Sequence, residues 1–231
     1  MKKKIIIIAI IIIAIIIGTV LIINGNKKDN NKTISQNTQT TESGNNSATN
    51  KGNNDKTQSK ETAKVETKYE GVVENGVYVI EKCITSEENL VVPDKINGAP
   101  VGKIKGRAFM NIPSKTIKLP NSITVIGDCA FWACESLRTI DLGNSLVTIG
   151  QGAFTGCRNL LTVSFPESLK TIEGAIFVAC NSIGEVYIPA TTTNIESIGF
   201  TDDCPNLVVV TPKGSHAEEV AKELKVPVRN K

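Results

Sequence analysis

The first apolar feature of the chain is a run from Ile5 to Ile23, nineteen residues without a charge and with nothing more polar than Thr19. Three lysines precede it at positions 2 to 4. A helix of this length covers about 28 Å, close to the hydrocarbon thickness of a bilayer. The pattern predicts that residues 1–23 are a transmembrane helix acting as a signal anchor.

The residues on either side of this segment distinguish a retained anchor from a cleaved signal. A cleaved secretory signal has a shorter apolar region of about 7 to 15 residues and a small-residue cleavage site. No such site follows here, since the run ends in Leu21-Ile22-Ile23-Asn24-Gly25. We therefore expect the segment to be retained, with secretion after cleavage as the alternative. The lysine cluster favours a cytoplasmic N-terminus and a chain that is otherwise extracytoplasmic, although Lys27 and Lys28 follow the run.

Residues 24–68 are rich in Asn, Thr, Lys, Ser and Gln, and Ile34 and Val65 are their only large apolar residues. Such a segment buries too little surface to offset the entropy of ordering. It is predicted to be a disordered linker whose ends lie roughly 35 to 40 Å apart by random-coil scaling.

Beyond the linker, apolar positions recur every 23 residues. The phenylalanine column is Phe131, Phe154, Phe177 and Phe200. Isoleucines stand five residues ahead of each, at Ile126, Ile149, Ile172 and Ile195. Cysteines stand three residues behind at Cys134, Cys157 and Cys180, and one residue later still at Cys204. A looser copy through Ile104 and Phe109 brings the number of predicted repeats to five.

One repeat cannot bury its apolar column alone, so successive turns are expected to stack into a continuous core. Within a repeat, Leu137, Ile140 and Leu142 are predicted to point inward from a short strand, since side chains alternate along a strand. Prolines follow the strands at Pro120, Pro166 and Pro189. Parallel stacking of five such strands predicts one sheet about 25 Å across.

The repeat reads Ile-x-x-x-Ala-Phe-x-x-Cys-x-x-Leu, as in Ile149 to Leu160, and it resembles the BspA-type leucine-rich repeat of bacterial surface proteins. The segment from Leu90 to Ile104 is similar to that family's lead-in. Ile176 and Gly199 replace the usual Ala before Phe, and we expect looser packing there. The resemblance implies that residues 69–231 form a leucine-rich-repeat solenoid, mostly β with short parallel strands.

A short helix is predicted near the C-terminal end of the solenoid. Ser215 and Glu218 have the spacing of a capping box, in which each side chain accepts from a backbone N–H at the helix start. An apolar stripe follows at helical spacing, made by Ala217, Val220, Ala221 and Leu224. We interpret this helix as the cap of the open solenoid end.

The six cysteines allow two interpretations. Four lie in the repeated interior column, where a thiol behaves as a small hydrophobic group. Adjacent turns would also bring their Cα atoms to about 4.8 Å, within disulfide range, so pairing stays open. Cys129 and Cys134 lack the tandem spacing of a zinc site, and no metal is expected.

Charge and composition narrow the function. Residues 1–68 carry 11 Lys and Arg against 5 Asp and Glu, whereas residues 69–231 carry 15 against 18. A mildly acidic repeat region argues against nucleic-acid binding. The single histidine, His216, is expected on the helix surface, and no phosphate-loop, dinucleotide-binding or hydrolase motif occurs. We therefore expect no enzyme, no catalytic residues and no cofactor.

The remaining candidate for function is the outward face of the repeated strands, through which solenoids commonly bind. A solvated face without function is the alternative. Its predicted residues are Thr116, Lys118, Thr139, Asp141, Thr162, Ser164, Glu185 and Tyr187.

Together with the resemblance, these features predict a membrane-anchored, extracytoplasmic binding or adhesion module for a protein or glycan ligand. A scaffold or sensor ectodomain that acts on another envelope protein of the same cell is the alternative, since a tethered domain stays near the membrane.

Overall fold

The structure, a computed structural model, describes residues 68–197 and 204–231. The predicted anchor at 1–23, the predicted linker up to residue 67, Gly199 and Phe200 lie outside the described residues. Within the described ranges, no helix has the length and apolar character needed to cross a membrane.

The described residues form short strands and one α-helix near the C-terminal end. The strands are β1 Tyr69–Glu74, β2 Val77–Cys83, β3 Asn89–Val91, β4 Lys95–Ile96, β5 Ala99–Ile104, β6 Thr116–Lys118, β7 Val125–Ile126, β8 Thr139–Asp141, β9 Thr148–Ile149, β10 Val163–Ser164, β11 Thr171–Ile172, β12 Glu185–Tyr187, β13 Asn194–Ile195, β14 Val208–Thr211 and β15 Val228–Asn230; the helix is α1, His216–Glu223.

The largest sheet contains the isoleucine column. Its order is β1-β2-β5-β7-β9-β11-β13, with β4 paired to β5, and its strands run parallel from β2 to β13. The repeated isoleucines end β5, β7, β9, β11 and β13. The sequence pattern predicted one strand per turn, and this second strand was missed because two residues are too few to show alternation.

The strands with the alternating pattern form two sheets instead of the single sheet predicted. One has the order β3-β6-β8, and the other has the order β10-β12-β14-β15. At the junction, the Leu161 N–H donates to the Arg138 carbonyl at 3.0 Å. Beyond it the chain turns sharply after β8, where Gly143 has a φ of 69° and donates to the Asp141 carboxylate. The division of the outward face lies between β8 and β10, and β10 is only two residues long.

The solenoid has six turns along the largest sheet, one more than the five predicted. The additional turn contains β2 and β3, and Leu90 of β3 lies in register with Ile117 of β6. The predicted lead-in, which begins at Leu90, is therefore part of the repeats. The signal was present, because Leu90, Val92 and Pro93 repeat the spacing of Ile117, Leu119 and Pro120.

The core is a ladder of stacked phenylalanine rings. Ring centroids lie 5.2 Å apart for Phe109 and Phe131, 5.4 Å for Phe131 and Phe154, and 5.7 Å for Phe154 and Phe177. All four side chains are fully buried. Ile176, expected to loosen the packing, is also fully buried, and its carbonyl accepts from the Phe154 N–H at 3.0 Å. The larger side chain therefore fits within the stack.

Buried thiols connect each turn to the one before it. The Cys134 thiol donates to the Phe109 carbonyl at 3.0 Å, and the Cys180 thiol donates to the Phe154 carbonyl at 3.1 Å. Cys157 and Cys204 make the same contact with the preceding Phe, at 3.2 and 3.1 Å. Burial, with a smaller effect of Cys204, raises the pKa of the Cys180 thiol to about 12. In this structure the cysteines of the column are free thiols rather than disulfides.

Close stacking also requires glycine after the isoleucine in two turns. A Cβ on Gly150 would lie 2.5 Å from Asp128 Oδ1 and 2.6 Å from the Asp128 nitrogen. A Cβ on Gly127 would lie 2.6 Å from the Gly106 nitrogen. The backbones of neighbouring turns thus approach too closely for any side chain at these positions.

Both ends of the stack are covered. At the start, β1 folds back antiparallel on β2 through Asn75 and Gly76, both with positive φ. At the end, α1 packs Ala217 and Ala221 on the core. The predicted cap is confirmed at Ser215, whose hydroxyl accepts from the Glu218 N–H at 3.2 Å. The Glu218 carboxylate accepts from Gly214 rather than Ser215, so the reciprocal bond was predicted one residue too late.

Phe154→Ala should destabilise the domain by about 3 to 5 kcal/mol, because it opens a cavity between two stacked rings. His216→Ala is the matched control and should change the free energy of unfolding by less than about 0.5 kcal/mol, since this side chain lies at the surface. Chemical denaturation measures both. Equal losses for the two variants would contradict the ladder.

Glu218→Gln should lower Tm at neutral pH, with an effect that disappears in acid. The Lys222 ammonium at 2.6 Å and the Gly214 N–H hold the pKa of the Glu218 carboxyl below its ordinary value of 4.5. A carboxyl with a lowered folded-state pKa stabilises above its unfolded pKa, and this contribution is lost as pH falls through the folded value. Thermal melts from pH 7 to 3 measure the effect, with exposed Glu219→Gln as the control. A difference from wild type that stays constant down to pH 3 would contradict it.

Candidate functional site

The eight candidate residues all have side chains that solvent reaches. Thr116 and Tyr187 are half-buried, and the other six are exposed. The division of the sheet separates them into two groups. One group, on β6 and β8, comprises Thr116, Lys118, Thr139 and Asp141; the other, on or beside β10 and β12, comprises Thr162, Ser164, Glu185 and Tyr187.

The first group lies on an open surface with short-range pairing between turns. The Thr116 hydroxyl donates to Asn89 Oδ1 at 2.9 Å, and the Lys118 ammonium lies 4.0 Å from the Asp141 carboxylate. Both charged side chains are well exposed, so water screens their attraction and it adds little stability. Val91, in register with Lys118, is 61% exposed at the edge of this sheet.

The second group lines a cavity of about 370 Å³, which we call the C-terminal concavity. The structure thus brings four of the eight predicted residues into one site. The sequence analysis missed the rest of the lining. The complete lining is Thr162, Val163, Ser164, Glu185, Tyr187, Val210, Arg229, Asn230 and Lys231.

Strand β14 supplies an apolar floor because it is apolar on both faces. Val209 lies in the core, whereas Val210 lines the concavity between Tyr187 and Arg229, with which it is in register. Val210 is nevertheless only 7% exposed. The side chains of neighbouring strands therefore shield it from water.

Two cationic side chains, Arg229 of β15 and Lys231 just after it, extend across β14 to residues of β12. Arg229 Nη2 lies 2.6 Å from Glu185 Oε2, and the Lys231 ammonium lies 4.6 Å from the centroid of the Tyr187 ring. Both contacts bridge strands that are two apart in the sheet. The aliphatic stems of such long side chains cover apolar surface while their charged ends stay hydrated.

The hydroxyl of Tyr187 is held at the side of the concavity by Glu167. It donates to Glu167 Oε1 at 2.6 Å. This hydrogen bond, with smaller contributions from burial and from the Glu167 charge, raises the pKa of Tyr187 to about 12. Tyr187 is therefore neutral at physiological pH, and its ring orientation is fixed.

Arg229, Asn230 and Lys231 were missed because they follow the predicted capping helix. The sequence pattern of this strand is short. Val226 and Val228 stand on either side of Pro227 and are flanked by Lys225 and Arg229, which is typical of the start of a strand. What no pattern could give is the pairing of β15 with β14, which brings these residues next to Glu185 and Tyr187.

Chemistry-bearing side chains outside the concavity are dispersed. His216 Nδ1 lies 3.5 Å from Glu219 on the exposed side of α1. Trp132 is half-buried. In the ranges that the structure describes, no three His, Cys, Asp or Glu side chains are grouped as metal ligands would be.

The repeat geometry can now be compared with known proteins. The family model of the BspA type leucine-rich repeat region matches residues 78–215 in six copies, which is more than half of the chain. The chain belongs to the BspA-type leucine-rich-repeat family. The six copies agree with the six turns and correct the predicted five.

The chain is also similar to solved structures of other bacterial proteins. A T. pallidum leucine-rich repeat protein is 28% identical, with a TM-score of 0.60 over 63% of this chain and 69% of that one. A leucine-rich repeat protein from Bacteroides capillosus is 20% identical, with a TM-score of 0.44 over 55% and 91% of the two chains. The pneumococcal vaccine antigen PcpA is 18% identical, with a TM-score of 0.47 over 63% and 48%. A comparison with curated proteins finds no match.

Proposed function

We propose that this BspA-type domain is a non-enzymatic binding module whose ligand contacts the C-terminal concavity. The observation that carries the proposal is the convergence of Glu185, Tyr187, Arg229 and Lys231 around an apolar floor. Concave sites with an apolar base and a few oriented polar groups are the usual form of ligand sites. The eight predicted face residues thereby acquire unequal roles, with the group on β10 and β12 at the centre.

The module is proposed to act outside the cytoplasm while attached to the membrane. The support is in the sequence: the apolar run from Ile5 to Ile23 has the length of a bilayer span, and a lysine cluster precedes it. Residues 24–68 would connect this anchor to the repeats.

A second candidate function follows from the length of that connection. If the linker behaves as a flexible chain, its ends lie roughly 35 to 40 Å apart. A domain held this close to the membrane meets proteins of its own envelope more readily than distant ones. A scaffold or sensor role toward such a protein uses the same concavity and differs only in the origin of the ligand.

Glu185→Ser/Tyr187→Ser should abolish capture of the partner in photo-crosslinking on intact cells that express the full chain. The double variant removes the aromatic surface and the carboxylate of the concavity but no core residue, so the fold should survive. Lys118→Ser/Asp141→Ser is the matched control on the other sheet and should retain capture. Mass spectrometry identifies the partner as foreign or as an envelope protein of the same cell.

The control variant also makes the assignment refutable. Capture lost only in Lys118→Ser/Asp141→Ser would move the contact surface to β6 and β8. Capture retained by both variants, each with a normal melting curve, would exclude the outward face as the binding surface.

Protease treatment of intact cells should digest the repeat domain and leave a membrane-bound fragment of about the first 24 residues. The expectation follows from the apolar length of the segment and its lysine flank. One antibody detects the repeat domain, and a second antibody, against an N-terminal tag, detects the membrane-bound fragment. A cytoplasmic protein that stays undigested shows that the cells are intact. A chain found only in the medium and beginning after Ile23 would show that the segment is a cleaved signal.

A further inference from the structure

Donor groups remain available in the C-terminal concavity after its internal contacts are made. The Glu185 carboxylate already accepts from Arg229 at 2.6 Å. The Lys231 ammonium contacts the Tyr187 ring but no carboxylate among the described residues. Within the same ranges, the Ser164 hydroxyl and the other N–H groups of Arg229 have no protein acceptor. The site therefore offers a guanidinium, an ammonium and a hydroxyl to an acceptor-rich ligand.

The charged side chains of the lining also favour an anionic group as ligand. Two cations of the lining, Arg229 and Lys231, face the Glu185 carboxylate, and a second carboxylate, Glu167, is held beside the site by the Tyr187 hydroxyl. Glu185 is bound to Arg229 and Glu167 to Tyr187, so Lys231 is the cation of the lining that has no carboxylate partner among the described residues. Guanidinium and ammonium groups bind carboxylates through charge-assisted hydrogen bonds.

The shape of the site favours a flat ligand with one apolar side and a polar rim. The Tyr187 ring provides an apolar surface beside the shielded Val210, and the Ser164 hydroxyl lies at its rim. The Thr162 hydroxyl donates to the Glu185 carbonyl at 2.8 Å and can still accept a hydrogen bond from a ligand. A sugar ring has this form, with C–H groups on one face and hydroxyls at its edge. Aromatic and apolar surfaces pack on such a face, and the few polar groups fix its orientation.

The position in the sheet disfavours an extended peptide. Peptides that bind to sheets add at an edge, where the main chain finds hydrogen-bond partners. The C-terminal concavity opens on the face of the sheet over β12 and β14, each of which is paired with strands on both sides. Its volume of about 370 Å³ is near the lower end of the range of about 300 to 1,000 Å³ for small-ligand sites.

We infer that the C-terminal concavity binds an acidic sugar, a ring carrying one carboxylate, within a glycan. The carboxylate lies between Arg229 and Lys231, and the C–H face packs on the Tyr187 ring. Lys231, which has no carboxylate to hold it, turns from the tyrosine ring to the ligand. This inference rests on the proposed binding function and specifies the ligand class of the same site.

The test uses the full chain in detergent micelles, labelled with ¹⁵N-arginine and titrated with sodium glucuronate. The chain has four arginines, so the Nε–H signal of Arg229 can be assigned with Arg229→Lys. We expect a saturable shift of that signal, with an affinity at least tenfold higher than for glucose. Lys231→Gln should weaken glucuronate binding about tenfold, the size of one charge-assisted hydrogen bond, and Lys231→Arg should restore it. Lys118→Gln is the control and should bind as wild type does.

Several outcomes would overturn the inference. An absent or unsaturable shift, equal shifts with glucose, or the same shift with sodium chloride would each do so. Binding of N-acetylaspartate amide as tight as that of glucuronate would assign the site to a peptide carboxylate instead. The other three arginine signals report whether each variant is folded. If glucuronate fails while Glu185→Ser/Tyr187→Ser still loses its crosslinked partner, the binding function stands and only the sugar assignment falls.

Discussion

The contact on which the structure depends is the stacking of each turn of chain on the turn before it. A single turn has an apolar column that it cannot bury, and it becomes stable only when a neighbour covers that column. Stacked rings such as Phe131 and Phe154, at 5.4 Å, cover it from within. Thiols such as Cys157, which donates to the Phe131 carbonyl, satisfy the backbone group beside the ring. Strand pairing at the surface follows from this spacing.

The repeated columns are the part of the fold that sequence reasoning could predict. A column residue performs the same task in every turn, so Phe154 and Ile149 were assigned to the core from spacing alone. The additional turn at β3 and the second strand of each turn were missed for a different reason. Their signals are two or three residues long, and only pairing with neighbours makes them strands. Such pairing depends on the neighbouring turns, so no local sequence pattern predicts it.

The candidate site was half predictable for the same reason. Glu185 and Tyr187 occupy repeated outward positions, so their orientation follows from strand alternation. Arg229 and Lys231 belong to the end of the solenoid, where the repeat has ceased and no earlier turn serves as a template. The concavity forms where the repeated strand β12 meets the terminal strand β15. Strand β15 covers the end of the stack and brings Arg229 and Lys231 next to the outward face of the regular turns.

The close approach of backbones at Gly127 and Gly150 has a consequence for how such a domain changes in evolution. A side chain at either glycine would meet the backbone of the previous turn, whereas an extra residue elsewhere is tolerated, since the late Cys204 still donates to the Phe177 carbonyl. Duplication of a whole turn keeps the spacing of the columns, so the domain can lengthen in this way without disturbing the close contact. Each added turn would move the first and last turns about 4.8 Å further apart while leaving the terminal strands unchanged. The number of turns therefore sets the length of the domain, whereas the terminal strands set the shape of the C-terminal concavity.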